Sequence, residues 1–433
     1  MVTRLKRVGL IVLALVVVVL ALIGILSVTR GTPVHSVIVL GRSGLPPAVG
    51  DSLFAATMEL HAKVHMETGH RVELLTDGNG TFPRLWEDIR TARRTLTLQM
   101  YYAQPGRMAD TLATLLLDRA RAGVRVLLIL DAFGAQNLDG KWVDTLRAGG
   151  VDTRWLRPLH WYSLNKAGNR SHVRLVIIDG RVAYTGGFGI ADYWYGDGRH
   201  HDQWRETNVR FEGPAVMQLQ AAFAAAWAEA TGELLIGDLF FPRASFDPVG
   251  PLRAGLLFAV PSTGSTTAER FLALSIASAR RTLYITNSYF VPDDDFRKML
   301  REAAGRGVDV RILTAGDETD IKTTTYAARA RYEELMRGGV RIWEYQPAMM
   351  HAKTFVVDGL WWTVGSLNFD NRSLAFNEEG NLVGIDSAIG AELTAMFLED
   401  LKYSREITLE EFTNRPWTKR FLEWSANLVS RVL

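Results

Sequence analysis

The sequence predicts an α/β protein of two tandem, similar domains related by a pseudo-twofold, behind an N-terminal transmembrane helix. Three observations predict it. From Arg71 onward, short apolar strands alternate with amphipathic helical stretches, the pattern of a sheet flanked by helices. The same alternation then occurs a second time in the same order, which marks a duplicated unit. Before both, Val8 to Val28 carries no charged or strongly polar residue, over about the length at which a helix spans a hydrocarbon core.

Residues 1–28 read as a basic flank and an anchor. Arg4, Lys6 and Arg7 precede the apolar run and only Arg30 follows closely, which favours a cytoplasmic N-terminus and a body outside. A cleaved signal peptide would have a shorter apolar region and a small-x-small site, and none stands before Thr29. Residues 29–70 are rich in Gly, Pro and Ser at their start and read as a linker. Within them His61-Ala62-Lys63 copies a tripeptide found later at His351 to Lys353. Thr68 stands where an Asp would be needed and no paired strands follow, so this copy reads as a polar helix face.

Residues 71–245 form the first predicted domain and 246–412 the second, with the join in the Pro- and Gly-rich stretch 242–255. "IRTARRTLTLQMYY" at Ile89 matches "IASARRTLYITNSYF" at Ile276, and "LRAGGVDTRWLRP" at Leu146 matches "LMRGGVRIWEYQP" at Leu335. The offsets, 276 − 89 = 187 and 335 − 146 = 189, stay close to the 351 − 172 = 179 that separates His172 from His351. Residues 413–433 alternate basic and apolar positions at helical spacing and read as an amphipathic helix, on a membrane or on the body.

The chemistry concentrates in "SHVRLVIIDGRVAYTGG" and "MHAKTFVVDGLWWTVGS". Asp179-Gly180 and Asp358-Gly359 sit between apolar runs, a strong hairpin signal. Side chains two apart on a strand share a face. His172 and Arg174 therefore point the same way, as do His351 and Lys353. An imidazole beside a fixed cation suits a phosphate, because one group reacts while the other neutralises the phosphoryl oxygens. Ser366 and Asn368 are also two apart and add neutral donors. Asp179 and Asp358 read as turn formers. Each imidazole needs an orienting acceptor, and Glu206 and Glu379 lie at matching places downstream. One His-x-Lys alone is weak evidence; the duplicated pattern with matching hairpins is strong.

These motifs resemble the phospholipase D superfamily, and the fuller text, "GVRIWEYQPAMMHAKTFVVDG", "GSLNFDNRS", "GGFGIADYW" and "LKYSREITLEEF", is similar to bacterial cardiolipin synthases. The resemblance runs from about Arg71 to the C-terminus. It implies two phospholipase D-like α/β domains whose motifs meet in one site that uses no metal and no cofactor. It assigns His172, Arg174 and Asp179 with His351, Lys353 and Asp358 to that site. His172 would be the nucleophile and His351 the acid and base. The implied reaction condenses two phosphatidylglycerols into cardiolipin and glycerol. Two departures fall in the first motif: Arg174 stands where the family has Lys, and Gly189 where Asn is usual. Arg keeps the charge with a larger planar head, so Arg174→Lys should retain activity, whereas His351→Asn should abolish it.

Composition bounds the alternatives. A chain of 433 residues holds about two to three domains. The net charge of +2 gives no field that argues for nucleic acid. The absence of Cys excludes disulfides and thiolate chemistry. His200-His201 lacks a third metal ligand at a telling spacing. Trp- and Tyr-rich stretches at 159–168 and 191–204 suit a lipid headgroup interface or a core. The expected partners are a phospholipid and a membrane, and the sequence leaves the oligomeric state open. A hydrolase with the same site, or a lipid-binding protein with a weakened first half, remain as rivals.

Overall fold

Arg125–Asp131 is a nearly continuous apolar run, and Thr95–Met100 alternates Leu and Met with Thr and Gln. Both become strands buried on both faces, as parallel strands covered by helices must be, and Thr97 and Gln99 hydrogen-bond to Gln220 and Ser171. A computed structural model describes residues 2–29, 33–39, 44–158, 168–262 and 264–428. The first half contributes β1 (Met66–Thr76), β2 (Thr95–Met100), β3 (Arg125–Asp131), β4 (Asp152–Leu156), β5 (Arg170–Ser171), β6 (Leu175–Ile178), β7 (Val182–Gly186), β8 (Trp204–Arg205) and β9 (Thr207–Glu212). The second contributes β10 (Leu252–Ala259), β11 (Thr282–Asn287), β12 (Asp309–Ala315), β13 (Arg341–Tyr345), β14 (Met349–Met350), β15 (Lys353–Val357), β16 (Trp361–Gly365), β17 (Asn377–Ile385) and β18 (Ser404–Ile407).

One sheet runs through both halves, in the order β18-β13-β12-β11-β15-β16-β17-β10-β1-β9-β7-β6-β2-β3-β4. Its seam is the antiparallel pair β1/β10, with Met66 opposite Gly255 and His70 opposite Leu252. Outward from the seam, β1-β9-β7-β6-β2-β3-β4 repeats as β10-β17-β16-β15-β11-β12-β13. In the two halves β2-β3-β4 and β11-β12-β13 are parallel and helices make the crossovers, as that geometry requires; β18 adds an antiparallel edge beside β13. The hairpins β6/β7 and β15/β16 turn on Asp179-Gly180 and Asp358-Gly359, all four at φ between +54° and +66°, the backbone of a type I′ turn.

Among the described residues three hydrophobic cores each belong mainly to one half, and a fourth belongs to both. The shared core contains Phe223 and Trp227, on the helix Ala215–Thr231, together with Trp362, Val364 and Leu393 of the second half. The halves are therefore fused through packing as well as through the sheet.

The expected linker at 29–70 differs in the structure. Asp51 caps a helix, Ser52–Ala62, by accepting from the Leu53 amide. Phe54, Met58 and Ala62 are buried in the core of the second half, and the Phe54 ring meets Trp361 edge-on at 5.1 Å. The apolar spacing 54, 58, 62 is the helical signal, masked by the Gly and Pro before it. His61 and Lys63 stand exposed at its end.

Val2–Thr29 is one helix, and the side chains described along it, Lys6 to Leu22, are exposed. Among the described residues no helix is long and apolar enough to cross a membrane. At the other end, Trp417–Leu428 rests on the helix Lys322–Arg337 with Glu423 and Ala426 buried. Trp417, Phe421, Trp424 and Leu428 remain exposed, and their spacing puts them on one stripe.

Candidate active site

Two short parallel pairings carry the site. β5 lies beside the start of β17, with Glu378 opposite Ser171, and β14 lies beside β8, with Met350 opposite Arg205. Each pairing continues one residue further. His172 N donates to Glu378 O at 2.8 Å, and His351 N donates to Arg205 O at 2.7 Å. The next residue on each partner strand is the glutamate. His172 Nδ1 lies 3.0 Å from Glu379 Oε2, and His351 Nδ1 lies 2.6 Å from Glu206 Oε2. Each of these two histidines is thus oriented by the carboxylate of the other half. The sequence placed the four residues at matching positions and left their pairing open.

Both pairs are buried. Burial, with Arg174 and Lys353 nearby, holds both imidazoles well below the usual histidine range. Burial also raises both glutamates above the carboxylate range. The Nδ1 contacts put the proton of each neutral imidazole on Nδ1 and leave Nε2 as a lone pair.

The surroundings of the two pairs are not equal. Lys353 Nζ donates to Ser288 Oγ at 2.8 Å and to the carbonyl of His351. At the matching positions of the first half stand Arg174 and Tyr101. The Arg174 guanidinium lies 5.7 Å from the centre of the Tyr101 ring, a face suited to a flat cation. Arg174 Nη2 reaches His172 Nε2 at 3.0 Å. Its Nε and Nη1 are buried without a hydrogen-bond partner among the described residues.

Ser366, expected to bind phosphate, is placed otherwise: its hydroxyl donates to Glu379 Oε2 at 2.6 Å and it is fully buried. It steadies the carboxylate and has no hydrogen left for a ligand. The matching residue is Gly187, where a Cβ would stand 2.4 Å from Glu206 Oε2. Trp194 supplies the missing donor, with Nε1 3.4 Å from the same oxygen. Trp194 also explains Gly189, because a Cβ there would meet the indole at 2.6 Å. The aromatics of 191–204 accordingly form a wall: the Trp204 and Trp194 rings lie 4.6 and 5.6 Å from that of His351. The stretch 159–167 lies outside the described residues.

One cavity of about 320 Å³ is lined by both His172 and His351, together with Arg174, Asn368, Arg372 and Asp320. Lys353 is buried beside it and does not line it. Asp179 and Asp358 stand away from the cavity. Each carboxylate accepts from three consecutive backbone amides, Arg93 to Thr95 and Arg280 to Thr282. This places the motif aspartates as struts that tie each hairpin to the start of β2 or β11, without contact with a reacting group. His200 and His201 are exposed.

Sequence reasoning missed Tyr101, Trp194, Tyr289, Asp320 and Arg372. Tyr101 and Tyr289 follow β2 and β11, and Asp320 follows β12. The carboxyl ends of parallel strands are where open α/β sheets place their sites, and that rule was the available signal.

A duplicated sheet that brings two histidine-carboxylate pairs to one cavity has the architecture of the phospholipase D superfamily. The chain belongs to the family described as "Cardiolipin synthase, PLD-like domain", which matches residues 85–227 and 272–401. It is 32% identical over 361 residues to a cardiolipin synthase of Geobacillus kaustophilus (strain HTA426), covering 83% of this chain and 72% of that one. It is 32% identical over 366 residues to cardiolipin synthase A of Pseudomonas entomophila (strain L48), covering 84% and 75%. In fold it is similar to a phosphatidylserine synthase of Haemophilus influenzae Rd KW20, with a TM-score of 0.67 over 87% of this chain and 99% of that one, at 12% identity.

Proposed function

We infer that this protein is a phosphatidyl transferase that condenses two phosphatidylglycerols into cardiolipin and glycerol. The observation that carries the reading is Arg174: two buried guanidinium nitrogens without hydrogen-bond partners among the described residues, beside His172 Nε2, at a cavity that His351 also lines. Such donors match the non-bridging oxygens of a phosphodiester. Asn368 adds an amide at the same cavity, and the Lys353 ammonium adds charge from behind His351.

In the first step His172 Nε2 attacks phosphorus. The P–N bond forms as the P–O bond to the glycerol headgroup breaks, and the departing oxygen takes a proton from His351. In the second step the terminal hydroxyl of another phosphatidylglycerol gives its proton to His351. Its oxygen attacks phosphorus, the P–N bond breaks, and His172 is returned. An arriving phosphate anion offsets the two cations that depress the imidazoles, so His351 gains affinity for the proton that it must donate. Incubating the purified full-length chain with phosphatidylglycerol tests this: cardiolipin and glycerol are expected, and phosphatidic acid in their place would mean hydrolysis.

Residues 1–28 serve in this reading as a single-pass anchor with the body outside the cytoplasm. The exposed apolar side chains from Val8 to Leu22 and the exposed stripe Trp417, Phe421, Trp424 and Leu428 support it. The chain has no Cys, so a single Asp202→Cys at an exposed loop is a unique label site. An impermeant thiol reagent should modify it in intact cells; labelling only after lysis would reverse the topology.

A further inference from the structure

We propose that Asp320, held by Tyr289, forms a headgroup subsite that receives the hydroxyls of a glycerol-type polyol, both on the departing headgroup and on the acceptor lipid. The proposal rests on the transferase reading above and adds how a sugar-alcohol headgroup is told from water.

Asp320 lines the cavity that His172 and His351 share. The Tyr289 hydroxyl donates to its carboxylate, with oxygen distances of 2.8 and 2.9 Å. The Tyr289 ring stands edge-on to the His351 ring at 6.3 Å, and Lys353 Nζ lies 5.9 Å from the same ring centre. Asp320 is therefore tied to the His351 side of the cavity. Among the described residues it has no ion-pair partner within 4.0 Å. Thr324, four residues on, faces the cavity as well. Burial raises the Asp320 carboxyl, while the Tyr289 hydrogen bond and the Lys353 charge oppose that.

A carboxylate in a cavity for a phosphate anion repels the very group the site is meant to hold. The corresponding loop of the first half, after β3, presents Gln136 and Asn137 to the same cavity and no acid. Asp370 also lines the cavity, but its carboxylate accepts from the Ser373 amide at 2.8 Å and caps a helix. Asp320 is the acid whose remaining acceptor positions need a partner that the ligand brings. A carboxylate has about four acceptor positions and donates nothing when ionised. With one taken by Tyr289, it can accept from two neighbouring hydroxyls, as a vicinal diol offers.

The direction of the chemistry puts that diol at Asp320. Attack by His172 expels the leaving group away from His172, toward the acid His351 and so toward Tyr289 and Asp320. The acceptor hydroxyl later approaches along the same line and gives its proton to His351. One polyol pocket thus serves both half-reactions, and it concentrates the hydroxyl of a second lipid over water. Arg174 and Arg372 provide positive charge at the cavity near His172, and both depress its imidazole. The phosphate is drawn to that end while its headgroup is drawn to the acid.

The test compares products. Full-length wild type, Asp320→Asn and Asp320→Ala are incubated with phosphatidylglycerol vesicles, and cardiolipin and phosphatidic acid are counted in the same sample. The ratio of the two is independent of the fraction of protein that folds. In both variants the ratio of cardiolipin to phosphatidic acid should fall at least tenfold, and the concentration of free glycerol that half-saturates its use as an acceptor should rise at least tenfold. An unchanged ratio in variants that still turn over would overturn the subsite. So would wild type that uses ethanolamine as an acceptor as readily as glycerol, since an ammonium rather than a diol would then be the group read. Wild type that makes no cardiolipin at all would instead remove the transferase reading and leave the subsite with no reaction to serve.

Discussion

His351 Nδ1 stands 2.6 Å from Glu206 Oε2, and the two residues belong to different halves of the chain. The reciprocal contact joins His172 to Glu379. Neither half holds a complete histidine-carboxylate pair, so damage in one half should silence the histidine of the other.

Glu206→Gln and Glu379→Gln are expected to lower kcat by about 10²–10⁴-fold, the usual weight of a positioned acid or base. The phosphohistidine should separate the two. Glu206→Gln should still form the adduct on His172, more slowly, and release it slowly, because in the proposed mechanism His351 serves both steps while His172 keeps its carboxylate. Glu379→Gln should form little adduct at all. Trapping after acid quench and mapping by mass spectrometry reads the outcome, and adduct levels equal in both variants would contradict the assigned roles.

Gly189→Asn copies the residue that the second half has at Asn368, yet it should harm the protein. Its Cβ would overlap the Trp194 indole, at 2.6 Å, and overpacking of this kind costs about 1–3 kcal/mol. Trp194→Ala should relieve that clash while removing the indole donor from Glu206. Thermal melting of both single variants and the double variant should therefore show strong non-additivity, with the double variant more stable than the sum of the singles predicts.

Burial pulls the Lys353 ammonium down to about 7 in the substrate-free protein. A lowered lysine is charged below that value and neutral above it. The phosphate loses a cation as pH rises, so kcat/KM for phosphatidylglycerol should fall above about pH 7. Lys353→Arg keeps its charge throughout this range and should move the fall to higher pH. A profile that coincides with wild type would assign the limb to another group.

Arg205 joins the halves at the base of the site. Its guanidinium donates to Asp400 at 3.0 and 2.7 Å and to Asp77 at 3.3 Å, while its carbonyl holds the backbone of His351. Asp400→Ala would leave this buried cation short of its two best contacts, a change that costs about 3–5 kcal/mol. Denaturant unfolding should show that loss, and activity should fall with it as His351 shifts. Exposed pairs such as Arg341–Glu406, 2.9 Å apart, should contribute about 0–1 kcal/mol.

The duplication, the Asp-Gly hairpins and both histidines were legible because each is written locally, in a short pattern that occurs twice. The "ARRT" shared by Arg93 and Arg280 was visible as a repeat, but its use was not: its amides bind Asp179 and Asp358, a contact set by which strand lies beside which hairpin. The partner of each histidine was hidden for the same reason. Glu206 and Glu379 exchange places across the seam, and no local signal says so. Ser366 read as a phosphate donor because its hydroxyl faces the right way; only the fold shows Glu379 already accepting it. Gly189 read as a departure from the family's Asn, and no local pattern says that Trp194, five residues on, occupies the space.

Equivalent strands that meet antiparallel, as β1 and β10 do at the seam, are related as the subunits of an isologous homodimer are. A polypeptide half as long would close the same site by pairing with its own copy. Under that arrangement every substitution would appear twice, once on each side of the reacting phosphorus. Joined end to end, the copies can drift apart, and Arg174, Gly187, Gly189 and Trp194 all lie in one of them. Fusion thus lets the two sides of one cavity differ, as the surroundings of His172 and His351 do.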